Sequence, residues 1–478
     1  MTRDYVSKMD IYMVLSVTTL VNFLTGFNAR LAVVGLPTIA RDLNADIYQI
    51  IWIVQGYMLG STIIQLIVGR LSDLFGRVKL FNLGIAIFGL GAFVSGLSSS
   101  SIVLVASRFV QGIGAAFLIS LTVTILTDYV PPDRLATWLG VNQVSWRVGA
   151  LLGLTLSGFI IDYLGWRWIF LIQVPLSLAI LFWSVKRLRE RYKPVEKPYI
   201  DWPGFATFTA AIALLLVGLT LYGYGFSEYS LYTMASSIAL LILFSLWELN
   251  TKHPALDLSI FRIWQFSGGI IAQLLYSIGF GASMTLLAIY LQSVEGFTAT
   301  QTGLLLIPYE LSFLVFGVVG GRLSDSIGFA PVAVAGLVAG SAALYLISIV
   351  SSLKALMAAE ILLGVGTGLF VSPNTSSIMN SVPPHRRGVA SSIRTISFNV
   401  GFALSLNIAV LSLTRVLPYK IVSTLITYEG MQNTITNSTL IEISMLSNAI
   451  RESFKVQSIL MAMAIPFTVS RTRKAVKR

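Results

Sequence analysis

The chain has 478 residues, of which 55% are hydrophobic and 11% are charged, and its formal net charge is +12. A soluble domain carries about 25% charged residues, so this composition excludes an ordinary water-soluble enzyme. Cysteine is absent and there are two histidines. This excludes disulfides, thiolate chemistry and cysteine-based metal sites, and it predicts that the chain has no metal centre.

Apolar runs of about 20 residues recur along the whole length, each long enough to cross a hydrocarbon core of about 30 Å as a helix. They predict an all-α polytopic membrane protein. In chain order the predicted spans are 11–36, 47–69, 79–98, 101–128, 135–162, 167–186, 202–222, 231–249, 264–292, 299–321, 330–351, 354–380, 388–415 and 456–470.

The last of these fourteen spans is the weakest. Its apolar part reaches only about 22 Å as a helix, so we expect Lys455 to snorkel or the bilayer to thin beside it. The polar residues 416–455 before it predict one long outer loop, with an amphipathic helix near 441–450.

Basic residues predict the orientation. With the N-terminus in the cytoplasm, 22 of the 33 Lys and Arg residues lie in cytoplasmic segments, 7 lie in outer segments and 4 lie within spans. An even number of spans also returns the basic tail after Arg471 to the cytoplasm. The positive charge thus follows from topology rather than from nucleic-acid binding. We expect a cell-membrane protein with both termini cytoplasmic.

Three landmarks recur later in the chain at one constant offset. The segment 69–73 (GRLSD) matches 321–325, the segment 104–114 matches 356–366, and the segment 130–134 matches 382–386. Three matches in order predict two homologous bundles, with spans 7 and 8 inserted between them. Repeats of this kind around a shared midplane site are typical of transporters.

The predicted domains follow from this repeat. Residues 1–190 form an N-terminal six-helix bundle, residues 191–262 a cytoplasmic linker with two inserted helices, and residues 263–478 a C-terminal six-helix bundle that carries the outer loop 416–455. The chain contains no Gly-Lys-Ser or Gly-Lys-Thr phosphate loop, which excludes a self-contained ATP-driven pump.

The motifs resemble those of the major facilitator superfamily. The charged loop from Gly69 to Lys79 looks like its motif between the second and third helices, and Arg108-x-x-Gln111-Gly112-x-Gly114 resembles its fourth-helix motif. The run from Trp166 to Pro175, and Leu36-Pro37 followed by Trp52-x-x-x-x-Tyr57, are similar to the fourteen-helix drug:proton antiporter branch. The resemblance implies two six-helix bundles around a central cavity lined mainly by spans 1, 4, 9 and 12.

Two positions depart from that branch. Its first helix usually carries Asp where this chain has Asn28, and Arg30 follows. Its fifth-helix motif, G-x-x-x-G-P-x-x-G-G, is here Gly149-A-L-L-Gly153-Leu154-T-L-Ser157-Gly158. Both departures weaken the inference of cationic drugs as cargo and leave the predicted fold unchanged.

Ionisable residues within spans mark the candidate site, because each costs about 2.5–3.5 kcal/mol if it faces lipid at mid-membrane. They are Arg30, Arg108, Arg147, Glu310, Glu360 and Arg394. Two arginines at one depth can clamp a carboxylate or phosphate. Arg30 could instead snorkel towards Asp42 or Asp46.

Glu360 is the repeat partner of Arg108 and is predicted either to exchange a proton in each cycle or to form a lasting ion pair with Arg30 or Arg108. The predicted substrate and proton cavity comprises Asn28, Arg30, Tyr57, Arg108, Gln111, Asn142 and Glu360.

Two further sets are assigned to movement. Arg147 and Glu310 are predicted to form a gate between the bundles, with Glu310 as the second option for the proton carrier. Arg394 is expected to snorkel to the cytoplasm rather than to bind an anion. The predicted conformational latch comprises Gly69, Asp73, Gly76, Arg77, Asp128, Gly321 and Asp325, and we expect it to be stronger in the first half, because Phe329 stands where the first copy has Arg77.

The sequence therefore predicts a secondary active transporter, not an enzyme, that exports amphipathic drugs or other small organic compounds by alternating access. A carrier of organic anions or metabolites that uses Arg30 and Arg108 is the alternative, and a non-transporting membrane sensor is a remote one. We expect no cofactor, a proton gradient as the energy source, and a monomer whose partners are lipid, protons and a small organic substrate, without nucleic acid.

Overall fold

The computed structural model describes residues 8–130, 132–191, 199–252, 254–383, 386–427 and 437–471. The two histidines, most of the predicted linker and the basic tail after Arg471 lie outside the described residues. Within the described part the chain is an all-α polytopic membrane protein, as predicted.

The helices follow one another through short connections. They are α1 (Lys8–Asp42), α2 (Ile47–Gln65), α3 (Val68–Phe75), α4 (Arg77–Gly96), α5 (Ser101–Tyr129), α6 (Pro132–Leu164), α7 (Arg167–Leu171), α8 (Gln173–Arg187), α9 (Trp202–Gly223), α10 (Ser227–Asn250), α11 (Trp264–Phe280), α12 (Ser283–Ile289), α13 (Ala299–Leu305), α14 (Ile307–Ile327), α15 (Phe329–Ile349), α16 (Leu353–Asn380), α17 (Arg387–Val416), α18 (Tyr419–Thr427), α19 (Asn437–Ala462) and α20 (Ala464–Ser470). A 3₁₀ turn (Leu258–Arg262) precedes α11, and a π-helical turn (Tyr290–Val294) follows α12.

Fourteen helical segments in the described residues are long and apolar enough to cross a membrane, which confirms the predicted number. The last one differs from the prediction, because it runs over Ile441–Ser470, 30 residues, and needs no thinning of the bilayer. Buried residues at helical spacing, among them Leu446, Ile450 and Phe454, form an apolar stripe along α19. The amphipathic helix predicted near 441–450 is thus part of α19, and it continues into the last span instead of ending in the predicted outer loop 416–455.

The charged motif after span 2 is mostly helical, whereas the sequence predicted a loop. Val68–Phe75 forms α3, and α4 begins at Arg77. Only Gly76 separates them, with φ of 98°, in the left-handed region that favours glycine. A Cβ at this position would also lie 2.7 Å from Glu190 Oε2. Glycine is therefore favoured here by its backbone conformation, and a larger residue would also displace the Glu190 side chain.

The helices pack into two compact units. One comprises Met1–Gly35 and Trp52–Phe205, and the other Leu36–Ile51 and Ala206–Arg478. The short segment Leu36–Ile51, which ends α1 and begins α2, thus packs with the second unit. The Ile47 amide donates to Ser423 Oγ at 3.1 Å, and Tyr48 Oη lies 3.4 Å from Thr414 Oγ1.

The sequence repeat recurs in the helix ends. Ser100 and Ser352 are repeat partners, and each caps the N-terminus of a long helix, accepting from the amides of Val103 and Ala355 respectively. Gly76 and Gly328, at the same offset, both have positive φ and separate two helices. The landmarks in the sequence therefore mark equivalent structural positions.

The same repeat recurs where helices cross. A Cβ on Gly112 would collide with the Tyr57 carbonyl oxygen, and one on Gly364 would lie 2.5 Å from the Tyr309 carbonyl oxygen. Gly112 lets α2 and α5 approach closely, and Gly364 does the same for α14 and α16. Tyr57 and Tyr309 are repeat partners as well. Each unit therefore contains the same close helix crossing, one turn after Arg108 in the first unit and one turn after Glu360 in the second.

Candidate functional site

Arg108 lies at the centre of a buried polar network in the first unit. It projects from α5 and is 2% exposed. Its Nη1 donates to Asn28 Oδ1 at 2.8 Å and to Gln111 Oε1 at 2.5 Å, and its Nε donates to the Ile53 carbonyl at 3.3 Å. The structure therefore brings together three of the predicted cavity residues, Asn28, Arg108 and Gln111.

Two aromatic rings complete this network. The Arg108 guanidinium carbon lies 4.5 Å from the centre of the Tyr57 ring and 5.6 Å from that of Phe170. Ring faces attract a cation, and the effect is larger when water is excluded. Tyr57 is a predicted site residue, whereas Phe170 was assigned no role from sequence.

Gln173 is a residue that sequence reasoning missed. It is fully buried on α8, its Oε1 accepts from Gln111 Nε2 at 3.1 Å, and its Nε2 donates to the Ile169 carbonyl at 2.9 Å. The available signal was a single amide in the apolar run from Trp166 to Pro175. Gln173 fixes the rotamer of Gln111, which in turn orients Arg108.

The charge of Arg108 has only neutral partners. Among the described residues no carboxylate makes an ion pair with it. A buried charge without an opposite charge is costly, and dipoles and ring faces offset that cost only in part. Arg108 is thus a buried guanidinium held by amide oxygens, a backbone carbonyl and ring faces.

The other predicted residues of this unit lie apart from the network. Asn142 Nδ2 is 3.4 Å from Thr18 Oγ1, a contact that joins α6 to α1. Arg30 is buried on α1, two residues after Asn28. Since residues two apart on an α-helix project about 200° from each other, Arg30 leaves α1 on the other side from Asn28. The clamp of two arginines stays a prediction.

Glu360 occupies the matching position in the second unit. It is 1% exposed on α16, and neither of its carboxylate oxygens has a hydrogen-bond or ion-pair partner among the described residues. Arg30 and Arg108, its two predicted ion-pair partners, belong to the first unit, so that pairing stays a prediction.

Aromatic rings, rather than amides, line this part of the second unit. Tyr276, Phe280, Tyr309 and Phe313 stack in series with centroid separations of 5.6–6.0 Å. Tyr309 lies on α14 at the crossing next to Gly364, one turn from Glu360. The surroundings of Glu360 are thus less polar than those of Arg108.

The predicted gate residues lie in different units. Arg147 is half-buried on α6, and Glu310 is buried in the first turn of α14. Their pairing stays a prediction. Arg394 is half-buried on α17, and its Nε has no hydrogen bond among the described residues.

Three residues of the first copy of the predicted latch are in contact. Arg77 Nη1 donates to Asp128 Oδ1 at 2.6 Å, and its Nη2 lies 3.3 Å from Asp73 Oδ1. Glu190 Oε2 accepts from the Val78 amide at 2.9 Å, which caps the start of α4. Glu190 was not among the predicted latch residues. Gly69 has open space around it, so its size is not required here.

The second copy differs. Asp325 is exposed and makes no ion pair with a described residue. Arg471, at the end of α20, is fully buried and donates to Asn374 Oδ1 and Ser377 Oγ, both at 2.6 Å. Its guanidinium carbon lies 4.6 Å from the Phe329 ring centre, and burial lowers the pKa of Arg471 to about 10.

This arrangement shows what replaces the missing arginine of the second copy. Phe329 is the repeat partner of Arg77, and a guanidinium that follows the last span covers its ring. On sequence alone, Arg471 counts only as the start of the basic tail and has no assigned contacts. Its buried partners are distant along the chain, so no local pattern indicates them.

Comparison with known proteins identifies the family. The profile of the Major Facilitator Superfamily matches residues 18–406. The chain belongs to the major facilitator superfamily. The fourteen candidate spans and the multidrug export proteins among its relatives fit the predicted fourteen-helix branch, and proteins of this superfamily are transporters rather than enzymes.

Several curated relatives are similar over most of their length. The chain is 28% identical to the riboflavin transporter RibZ of Clostridioides difficile, covering 82% of this chain and 87% of that protein. It is 28% identical to the multidrug export protein EmrB of Escherichia coli, covering 81% and 78% respectively. It is also 30% identical to the Escherichia coli transporter YebQ over 76% and 80%.

Solved structures of transporters share the fold. A bacterial homologue of the human lysosomal transporter Spinster, inward-facing and unoccupied, matches with a TM-score of 0.74 at 16% identity, covering 98% of both chains. The human organic anion transporter MFSD10 matches with a TM-score of 0.62 at 17% identity, covering 96% of this chain and 99% of that one. With the family established, the chain is a secondary active transporter of small molecules.

Proposed function

We propose that this transporter exports amphipathic small organic compounds in exchange for protons, with Glu360 as the proton-carrying residue. The observation that carries the proposal is a buried carboxyl on α16 that has no hydrogen-bond partner among the described residues, at the repeat position of a buried arginine on α5. A carboxyl in this setting is stable when protonated and costly when ionised. It therefore favours conformations that let it exchange its proton with water.

Arg108 complements Glu360 in this proposal. Its charge is held by neutral amides and ring faces, so it stays in place while Glu360 alternates between neutral and ionised states. Loss of a proton from Glu360 creates a negative charge in the second unit, while the first unit keeps the fixed positive charge of Arg108. Each proton transfer thus changes the electrostatic balance of the transporter.

The proposed substrates are amphipathic because the two units offer different surfaces. The first unit offers amides and a guanidinium around Arg108, and the second offers stacked aromatic rings around Tyr309. Relatives include a riboflavin transporter and multidrug export proteins, which supports a compound with both aromatic and polar parts.

A second candidate is an organic anion as the substrate. It is favoured by one observation, namely that no carboxylate among the described residues contacts Arg108. The carboxylate of a substrate could take that place through a bidentate contact. This alternative keeps the transporter and changes only its cargo.

The proposed setting is the cell membrane, with both termini in the cytoplasm and a monomer as the working form. The distribution of Lys and Arg supports this orientation. It places the Arg77–Asp128 pair on the cytoplasmic face and the turn at Ser351 on the outer face. The pair then stabilises one conformation of the cytoplasmic side, as a latch.

Proton flux in proteoliposomes tests the proposal. Purified transporter is reconstituted with a pH dye inside, and compounds from a panel of amphipathic cations, neutral molecules and acids are added in turn. We expect proton movement with at least one compound, and its loss in Glu360→Gln, which keeps the shape of the side chain and removes its proton exchange.

Glu310→Gln is the matched control, because it changes another buried acid of the same unit. Retained proton flux in Glu310→Gln together with its loss in Glu360→Gln supports Glu360 as the carrier. The reverse pattern would transfer that role to Glu310. If transport proceeds without proton movement, proton coupling is wrong.

A further inference from the structure

A small cavity in the second unit has among its lining residues Leu356, which lies one turn before Glu360 on α16. Its volume is about 40 Å³, and by the usual requirement of about 10–15 Å³ per molecule it holds about three waters. Its polar lining residues, called its mouth below, are Ser351 and Ser352 in the turn between α15 and α16, Tyr290 and Glu295 at the π-helical turn, and Arg451 on α19. The Tyr290 hydroxyl donates to Glu295 Oε1 at 2.6 Å.

The other end of the cavity is apolar and is formed by α12, α15, α16 and α19. Leu356 and Phe454 are among its lining residues there. Leu356 lies one turn before Glu360 on the same face of α16, since residues four apart in a helix lie one above the other. The cavity therefore reaches the turn of α16 next to Glu360.

The Glu360 side chain leans from its own turn of α16 towards the turn that lines the cavity. In an α-helix each Cα–Cβ bond tilts towards the N-terminus. The N-terminus of α16 is Leu353, which itself lines the cavity. The carboxyl of Glu360 thus leans over the turn of Leu356 and towards the cavity. Glu360 lies two turns into the helix, about 10 Å from its start.

We propose that this cavity is a water-filled access chamber through which protons from the outer side reach Glu360 without passing through the substrate cavity. The inference rests on the proposed proton-carrying function of Glu360 and on the proposed orientation. A hydronium ion at the polar mouth transfers its proton through the chain of waters to the Glu360 carboxylate. The products are water and a neutral carboxylic acid.

The charges around the chamber fit this role. Glu295 and Arg451 at the mouth have opposite signs, so the mouth is polar without a net charge that would hold the proton there. Tyr290 is the other titratable group in the lining. No described residue makes an ion pair or a hydrogen bond with Glu360, so no second proton acceptor stands between the water and its carboxylate.

The test fills the chamber. Leu356→Phe adds volume next to Glu360, and we expect the initial rate of substrate-coupled proton uptake after external acidification to fall about tenfold, because proton transfer must then wait for rare openings. Substrate affinity should stay within about twofold, since the substrate does not pass this way. Ile361→Phe, an exposed position on the same helix, is the control and should keep the parental rate.

A cysteine variant gives a second, independent measurement. The chain has no cysteine, so Leu356→Cys introduces a single thiol. Ag⁺ is small enough to enter a space of a few waters, and when it is added outside it should slow proton uptake in Leu356→Cys and leave the parent unaffected. This arm holds even if the larger phenylalanine impairs folding.

The outcomes distinguish the proposed proton route through the chamber from the proposed proton-carrying function of Glu360. Parental proton uptake in Leu356→Phe, and no effect of Ag⁺ on Leu356→Cys, would overturn the access chamber. If Glu360→Gln still abolishes uptake in that case, the proposed function stands and only the route is wrong. If Glu360→Gln moves protons like the parent, both proposals fail.

Discussion

At the scale of single residues, two equivalent positions carry opposite charges in contrasting surroundings. Arg108 is held by amide oxygens from Asn28 and Gln111, whereas Glu360 has no polar partner among the described residues and lies near stacked rings. A guanidinium is always charged and has five N–H donors, so neutral oxygens can bind it by accepting hydrogen bonds. A carboxyl can instead become neutral, so an apolar setting makes it titratable.

Asn28→Asp tests the charge balance at Arg108. It keeps the size of the side chain and places a carboxylate 2.8 Å from Nη1, so we expect an ion pair, a higher thermal unfolding midpoint and weaker transport of any acidic substrate. Asn142→Asp is the matched control, because Asn142 lies outside this network. Faster transport of an acid by Asn28→Asp would contradict the assigned role of Arg108.

At the scale of helices, the helix ends also distinguish the two halves. In the first unit Gly76 separates α3 from α4, Arg77 pairs with Asp128, and Glu190 caps α4. In the second unit Gly328 occupies the same place, but Arg471 on Phe329 replaces the ion pair. The first half thus has a titratable contact, the Arg77–Asp128 ion pair. The second half has a cation–π contact between Arg471 and Phe329.

Asp128→Asn tests the latch, because the 2.6 Å contact of Asp128 with Arg77 is shorter and less exposed than that of Asp73. We expect a loss of about 1 kcal/mol in the stability of the latched state from Asp128→Asn and about 0.4 kcal/mol from Asp73→Asn. Both should change the rate of switching, measured by single-molecule fluorescence or transport turnover, without abolishing ligand binding.

Asp325→Asn is the control for this series, because Asp325 is the exposed repeat partner of Asp73. It should behave like the parent. An effect of Asp325→Asn as large as that of Asp128→Asn would show that the second copy also acts as a latch. A large loss of affinity with normal turnover in Asp73→Asn would contradict the latch itself.

At the scale of the whole molecule, the two inserted helices hold a segment that connects α1 to α2. Tyr224, in the turn between α9 and α10, donates to Asp46 at 2.8–2.9 Å, and its ring lies 4.5 Å from that of Tyr48. Asp46 also accepts from the Gln49 amide at the start of α2. The inserted helices therefore do more than separate the two repeats, because they contact the connection between α1 and α2.

A glycine and a shifted pKa support this contact. A Cβ on Gly223 would collide with the Tyr48 hydroxyl, so the turn needs glycine here. Burial, together with the bond to Asp46, raises the pKa of Tyr224 above its usual 10. Because the folded-state pKa is raised, this contribution to stability is present below about pH 10 and is lost as the pH rises further.

Tyr224→Phe removes this contact and keeps the ring. A hydrogen bond to a charged group contributes about 1.5–3 kcal/mol, so we expect a measurable fall in the thermal unfolding midpoint in detergent. Tyr222→Phe changes an exposed tyrosine two residues away and should have no effect. Equal midpoints for Tyr224→Phe and the parent would show that Asp46 finds another partner.

Most of the architecture could be predicted from the sequence, because each span must satisfy its own backbone within lipid and must be apolar over about 20 residues. The number of spans follows from composition in this way. The repeat can be recognised because matching motif residues recur at a constant offset in the sequence. The same motifs indicated Arg108 with Gln111, and Arg77 with Asp128, as residues to examine, and the structure places each pair in contact.

Only the tertiary structure decided the remaining features. Gln173, Glu190, Tyr224 and Arg471 each have a partner 62 or more residues away in the sequence, on another helix or connection. An amphipathic helix near 441–450 was predicted, but only the structure shows that it continues into the last span. The lack of a partner for Glu360 is likewise a property of packing, because whether a buried carboxyl is paired depends on every helix around it and not on its own segment.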